Sequence, residues 1–405
     1  MGRTSDLFED VGGRLRLPPR VHHLPDLLDL SAEEILARFK RSQADDFRAV
    51  IRDLEHPGTP LRRFFEDMRD AGAADTSFTG PSFASSVIFQ AGGLATLFDD
   101  LHDHVMAHPV WRHPFFLRVF EGRFDAAHLR TFALNYFNQV KNTRQCVTLA
   151  IARFHGLAAL PYGPLAQPVS EVTQVVLAQL VADEYGVGSS ALDDYPSLDS
   201  LFRSTTHMAL YRRMLDALGV PLIEQDVPLL PEVADNVLIQ RLVAGDPAFT
   251  PLEALASVGL GMEWGVPEFF TLLLGGIIRW AHREGAPLTA HDLDIFIAHV
   301  KYDVLHAVSV MAATSLHMTE PADVATVKNA VNMLMSGRYG MMNGLYREVF
   351  GETLPGIADI GLDPRYAVLD RRMAERLPAA RAEAAPGTVR DREAWLSMPV
   401  PFVLA

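Results

Sequence analysis

One cysteine in 405 residues, Cys146, leaves no partner for an intrachain disulfide and too few thiolates for a cysteine-built zinc or iron–sulfur site. Long apolar runs are also missing: none reaches the ~18 residues that a membrane span requires. Positive charge is in deficit, with 36 Lys+Arg against 50 Asp+Glu and a formal net charge of −14. Nucleic acid and anionic membranes both demand clustered basic residues, so neither is expected as a partner. Met1–Asp10 lacks the basic-then-apolar pattern of a secretion signal, and the expected location is the cytoplasm. No G-x-S-x-G elbow occurs. GLGMEWG (Gly259–Gly265) has no strand before it, which argues against a phosphate or dinucleotide loop.

Strand-type alternation is scarce as well. With 49% hydrophobic and 21% charged residues the composition is that of a folded globular chain, and its apolar residues recur at three- and four-residue spacing. The pattern predicts an all-α bundle of about seven core helices: Ala126–Phe154, Ser170–Tyr185, Leu201–Leu218, Glu232–Ala244, Pro251–Trp280, Ala290–Leu316 and Ala322–Phe350. Pro and Gly mark the connections between them. Arg14–Pro25 reads as extended. Ser31–Leu54 reads as a helix, with Ser31 and Glu34 forming a capping box, and Ala71–Pro81 as a loop. Residues 1–83 are therefore expected to form an arm packed on the body or on a second subunit, which leaves a homodimer open. Residues 84–350 form the bundle, and 351–405, with six prolines, a tail over it or partly loose.

The most informative segment is Ile297–Val310, IAHVKYDVLHAVSV. His299, Asp303 and His306 stand at i, i+4 and i+7, one narrow stripe of a helix that is otherwise mostly apolar. Two imidazoles and a carboxylate aimed together from such a helix are costly unless paired or metallated, and the donor types suit iron or zinc. The plainer alternative is a solvated polar face. Glu263 is the only acid between Glu253 and Glu268, flanked by Met262 and Trp264, where a hydrogen-bonded core glutamate is the alternative. Glu184 closes an apolar helix, and His207 opens HMALYRRML; a solvated helix end would explain either singly. Together they make three carboxylates and three histidines on four helices, the count a carboxylate-bridged diiron site in a bundle requires.

In order, DEYG (183–186), a histidine before a Leu/Tyr-rich helix, GLGMEWGVPEFF and H-x3-D-x2-H resemble the haem-oxygenase-like diiron oxidases and oxygenases. HPFFLRVFEGRFDAAHLRTFALNYFNQVKN (His113–Asn142) resembles that family's opening helices. The resemblance spans about residues 105–345. It implies a haem-oxygenase/thiaminase-II type of helical bundle without haem. It also implies two iron ions cycling between Fe(II) and Fe(III), with O2 as cosubstrate and an external reductant. The six ligands would be Glu184, His207, Glu263, His299, Asp303 and His306. Their single stripe predicts His299 and His306 on one iron each, with Asp303 between them. The family's histidine usually follows the DEYG glutamate by about seven to ten residues, whereas His207 follows Glu184 by 23. The intervening segment reads as an insertion that lets the helix restart, and it offers Asp193 and Asp194 as rival ligands.

The expected activity is O2-dependent oxidation of a small amine- or amino-acid-derived metabolite, by N-oxygenation or oxidative cleavage, in specialised metabolism. An aliphatic desaturase or oxidative decarboxylase is the alternative on the same site. A metal-free thiaminase-like hydrolase, or a non-catalytic helical protein with a structural metal, is the alternative of another class. Tyr302, Gln139 and Asn142 are candidates to orient the ligands, and Phe137, Trp264, Phe269, Phe270 and Leu305 to line a pocket; plain core packing competes for the last five. Asp100, His104 and His108 read as a surface helix end, Arg212–Arg213 as solvated, and Cys146 as a buried inert thiol. His22–His23 has no geometric support.

Overall fold

The computed structural model describes residues 51–52, 55–73, 85–90, 92–154, 165–185, 206–286, 288–354 and 370–384, with isolated positions 34, 37 and 48. Among these the chain is all helical and has no strand. In order the helices are α1 Pro60–Ala73, α2 Gly93–Met106, α3 Pro114–Phe120, α4 Ala126–Ile151, α5 Ala166–Glu184 and α6 His207–Ala217. They continue with α7 Pro231–Gly245, α8 Pro251–Ala256, α9 Val266–Glu284, α10 Asp294–Leu316, α11 Pro321–Phe350 and α12 Arg371–Glu383. No helix among the described residues is long and apolar enough to cross a membrane.

Local chemistry sets the boundaries. The Asp125 carboxylate accepts from His128 N and starts α4. Thr250 and Glu253 form a capping box around Pro251 at the start of α8, and Glu320 and Asp323 do the same before α11. Gly285 and Gly351, both left-handed, close α9 and α11. Helix α7 packs on α4 and α11, α9 packs on α10 and α3, and α5 packs on α4 and α10.

The expected single helix Pro251–Trp280 is broken. After α8 the chain widens into a π-helical segment, Ser257–Glu263, turns at Trp264–Gly265, and restarts as α9. Every residue of the π segment is buried, and it packs against α10 and α11. Its glycines permit this: a Cβ on Gly259 would overlap Val310 of α10, and one on Gly261 would stand 2.9 Å from Leu334 Cδ2 of α11. Apolar periodicity could not register the break, because both sides of it are buried.

Other differences are smaller. Ala71–Ala73, expected in a loop, end α1; 74–81 lie outside the described residues, as do Arg14–Pro25, Ser31, and Asp193–Asp194. Residues 34, 37, 48, 51 and 52 are helical, in keeping with the helix expected there. The tail segment holds a helix, α12, that docks on α7. Arg381 bonds Asp235 through two 2.6 Å contacts with both side chains buried, and Arg372 reaches Glu253 at 2.6 Å.

Two outcomes follow. Arg381→Ala leaves the Asp235 carboxylate buried and unpaired, and should cost about 3 kcal/mol in denaturant unfolding, whereas Arg371→Ala, on an exposed side chain, should cost nothing measurable. His317 is buried against Thr173 Oγ1 at 2.9 Å, and burial pushes it down to about 3. An unfolded histidine titrates near ~6.5, so below that pH the unfolded chain binds a proton that the folded one refuses, and stability is lost as pH falls from 6.5 toward 3. Between pH 7.5 and 5, wild type should lose about 2 kcal/mol more than His317→Gln.

Candidate metal centre

All six predicted donor residues converge, and they do so as two trios. Glu184, His207 and His299 form one, and Glu263, Asp303 and His306 the other; within each, one ligand atom per residue lies within 4.8 Å of the others. Glu184 ends α5 and His207 is the first residue of α6, which starts behind the Thr206 cap. His207 Nδ1 stands 3.0 Å from Glu184 Oε2. Residues 186–205 between them lie outside the described residues. Helix α10 contributes one histidine to each trio, because seven residues carry the stripe about 10 Å along a helix. The π segment contributes Glu263.

The rings are held from behind. His299 Nδ1 donates to Ile295 O at 2.7 Å, which leaves Nε2 as the acceptor, and its ring stacks on Phe270. His306 Nε2 bonds Asp183 Oδ2 at 2.9 Å, so Nδ1 turns to the acids, 3.7 Å from Asp303 Oδ1 and 3.9 Å from Glu263 Oε2. Asp183 is itself oriented by Gln179 Nε2 on its other oxygen. Fixing one ring nitrogen with a carboxylate or carbonyl is how proteins set the tautomer of a ligating histidine.

Electrostatics point the same way. Burial, and then the neighbouring Asp303 charge, raise Glu263 well above the usual carboxylate range. Burial works against charging His306, yet Asp303, Glu263 and Asp183 push it up to about 10. Burial also works to raise Glu184, but His207 holds it below the usual range. Burial, with help from His207, lowers His299. Asp303 Oδ2 and His306 Nδ1 are buried without a hydrogen-bond partner. Two buried acids side by side, with a ring nitrogen of His306 turned toward them, make a place where a metal cation, displacing the imidazole proton, would supply the missing contacts.

Glu184, Glu263, His299 and Asp303 open onto a cavity walled by Tyr136, Gln139, Val140 and Thr143 of α4, by Val266 and Phe270 of α9, and by Arg338 of α11. Of the expected lining residues only Phe270 is there. Phe137 stacks on Tyr211, Trp264 on Phe98 and Phe269 on Phe116, which is core packing; the side chains of Leu305 and Tyr302 lie outside the described residues. Gln139 does face the cavity, but Asn142 is engaged with Gln240, Arg241 and Cys146. Cys146 is buried and its thiol is pushed up to about 12.

Sequence reasoning missed Asp183, Tyr136 and Arg338. Arg338 carried the same signal that exposed Glu263, a lone charge in an apolar stretch, since no other charged residue lies between Lys328 and Arg347. His108, expected at a surface helix end, is buried as the cap of a short 3-10 turn and pushed down to about 3. His104 bonds Asn332, and Asp100 is exposed against Lys328. Arg212 and Arg213 are partly buried and pair with Asp226 and Asp294 rather than standing in solvent.

No protein-family model matches the chain, and no curated protein matches it in sequence. In structure it is similar to a TenA homolog from Pseudomonas syringae pv. tomato str. DC3000, at 12% identity and a TM-score of 0.45, over 66% of this chain and 94% of that one.

The turn that aims Glu263 yields a test. Gly265 has φ +81° and a Cβ there would overlap the Trp111 ring, whereas Gly285 has φ +64° and open space around it. Gly265→Ala should lower thermal stability by about 3 kcal/mol, and Gly285→Ala by about 1.

Proposed function

We propose that the chain is a non-haem diiron enzyme, built on a haem-oxygenase-like bundle, that uses O2 to oxidise a small amine- or amino-acid-derived metabolite by N-oxygenation or oxidative cleavage. The observation that carries this is the pair of trios, one buried and one part-buried, each mixing imidazole nitrogen with carboxylate oxygen and each taking a histidine from one stripe of α10. The order and type of the six residues are those of the haem-oxygenase-like diiron family, and the donor set suits iron. Residues 84–350 are then the catalytic body, with 1–83 as its arm and 351–405 as its tail.

Glu184, His207 and His299 hold one ion, and Glu263, Asp303 and His306 the other. With two ions bound, the chemistry supplied is reductive activation of O2, renewed by an external reductant. The protein's own residues do the rest. Asp183 and the Ile295 carbonyl fix the two α10 rings so that one nitrogen of each is free to coordinate. Tyr136, whose phenol is kept protonated by burial and by the Asp303 charge, offers a hydrogen bond into the cavity. Phe270, Val266 and Val140 make part of the lining apolar, while Thr143 and Arg338 make part of it polar; the Gln139 amide is engaged with Gln240 and Asn236. That mixed lining fits a short polar substrate better than a long aliphatic chain. A thiol-based hydrolase is not favoured, since Cys146 is buried, is not among the residues that line the cavity, and is held protonated.

Metal analysis after anaerobic Fe(II) loading should give about two irons per chain in wild type, as a two-ion carboxylate–histidine site requires. Glu263→Ala and His299→Ala should each lower that content and abolish O2 uptake driven by amino acids or amines, while Asp100→Ala should change neither. Full iron and full activity in Glu263→Ala would remove the proposal's central acid.

A further inference from the structure

A buried guanidinium faces the same cavity as the donors. Arg338 is 6% exposed. Its Nη2 donates to Met262 O at 3.1 Å, and its Cζ lies 5.7 Å from the centre of the Phe269 ring. Nη1 is buried and has no hydrogen-bond partner among the described residues. Guanidinium keeps its charge at any physiological pH, and an unpaired buried charge is costly.

The neighbouring acids do not settle that charge once the centre is loaded. Glu184, Glu263 and Asp303 bring three buried negative charges, fewer than the four positive charges of two divalent ions, and Asp183 behind His306 is 35% exposed and screened by solvent. The charge of Arg338 then stands in excess, and the remaining cavity residues, Tyr136, Gln139, Val140, Thr143, Val266 and Phe270 among them, carry none. A simple amine entering as an ammonium would worsen the imbalance. A carboxylate set against the guanidinium offsets its charge locally, and its two oxygens fit the planar fork.

We infer that Arg338 is the anchor for a substrate carboxylate, so that the cavity takes amino-acid-like molecules bearing one carboxylate rather than simple amines. Nη1 supplies the charge-assisted contact, Met262 O holds the fork in place through Nη2, and the substrate's opposite end reaches the two trios. The inference rests on the diiron reading, because the charge balance assumes two divalent ions.

The test separates the two. Iron per chain is counted first in every protein, and that number alone judges the diiron reading. Short n-alkanoates, α-amino acids of two to six carbons and the matching n-alkylamines are then titrated anaerobically into wild type, Arg338→Lys and Arg338→Met, up to about 10 mM, with the thermal unfolding midpoint as readout. At least one carboxylate probe should raise the wild-type midpoint while its matching amine does not. The shift should vanish in Arg338→Met and survive in Arg338→Lys with at least a tenfold weaker apparent affinity, because an ammonium cannot reproduce the fork. The inference is overturned if no carboxylate probe acts on wild type, if amines act as well as acids, or if Arg338→Met keeps the shift. Should Arg338→Met fail to fold, an unchanged affinity in Arg338→Lys overturns it just as well.

Discussion

Two carboxyl groups, Glu263 and Asp303, lie buried side by side in a helical interior against the His306 ring, and the architecture around them is arranged to keep them there. Such a pair is electrostatically unfavourable in an apolar setting. Its persistence has to be enforced by packing, and the enforcement is visible. The π segment Ser257–Glu263 is buried along its whole length and wedged against α10 and α11. Its glycines let Val310 and Leu334 approach closely, and Gly265 turns the chain away immediately after the acid. π-Helical turns are rare and concentrate at functional sites, and here the widened turn ends on the acid around which one trio is built.

The second trio is built differently. Glu184 stands at the end of α5 and His207 at the start of α6, so their meeting depends on two helix termini rather than on a rigid interior segment. His299 joins them to the first trio through α10, the one element common to both. One stiff helix sets the spacing of the pair, a buried π segment fixes one side, and two helix ends complete the other. Helix α11 carries Arg338 into the cavity wall, where it bonds Met262 O beside Glu263.

Much of this was legible in the sequence because chemistry at odds with its surroundings is conspicuous. The stripe His299, Asp303, His306 and the isolated Glu263 stood out against apolar neighbours. Helical periodicity gave the all-α class and placed most of the seven core helices it predicted to within a few residues, while α1, α2, α3 and α12 were not among those seven. What was not legible depended on tertiary contact. The break at Trp264–Gly265 lies inside an apolar stretch whose periodicity is satisfied on both sides. The aromatic residues Phe137, Trp264 and Phe269 looked like a pocket lining but stack on Tyr211, Phe98 and Phe116. Asp183 was hidden by its neighbour Glu184, since nothing in the sequence tells which of two adjacent acids faces a metal and which faces an imidazole.

The central claim is that each trio holds its own ion. Anomalous diffraction at the iron edge, on crystals of the Fe(II)-loaded protein, tests it most directly. The account predicts two iron peaks, one bounded by Glu184, His207 and His299 and the other by Glu263, Asp303 and His306. A single peak, or density at neither trio in a fully loaded crystal, would contradict it.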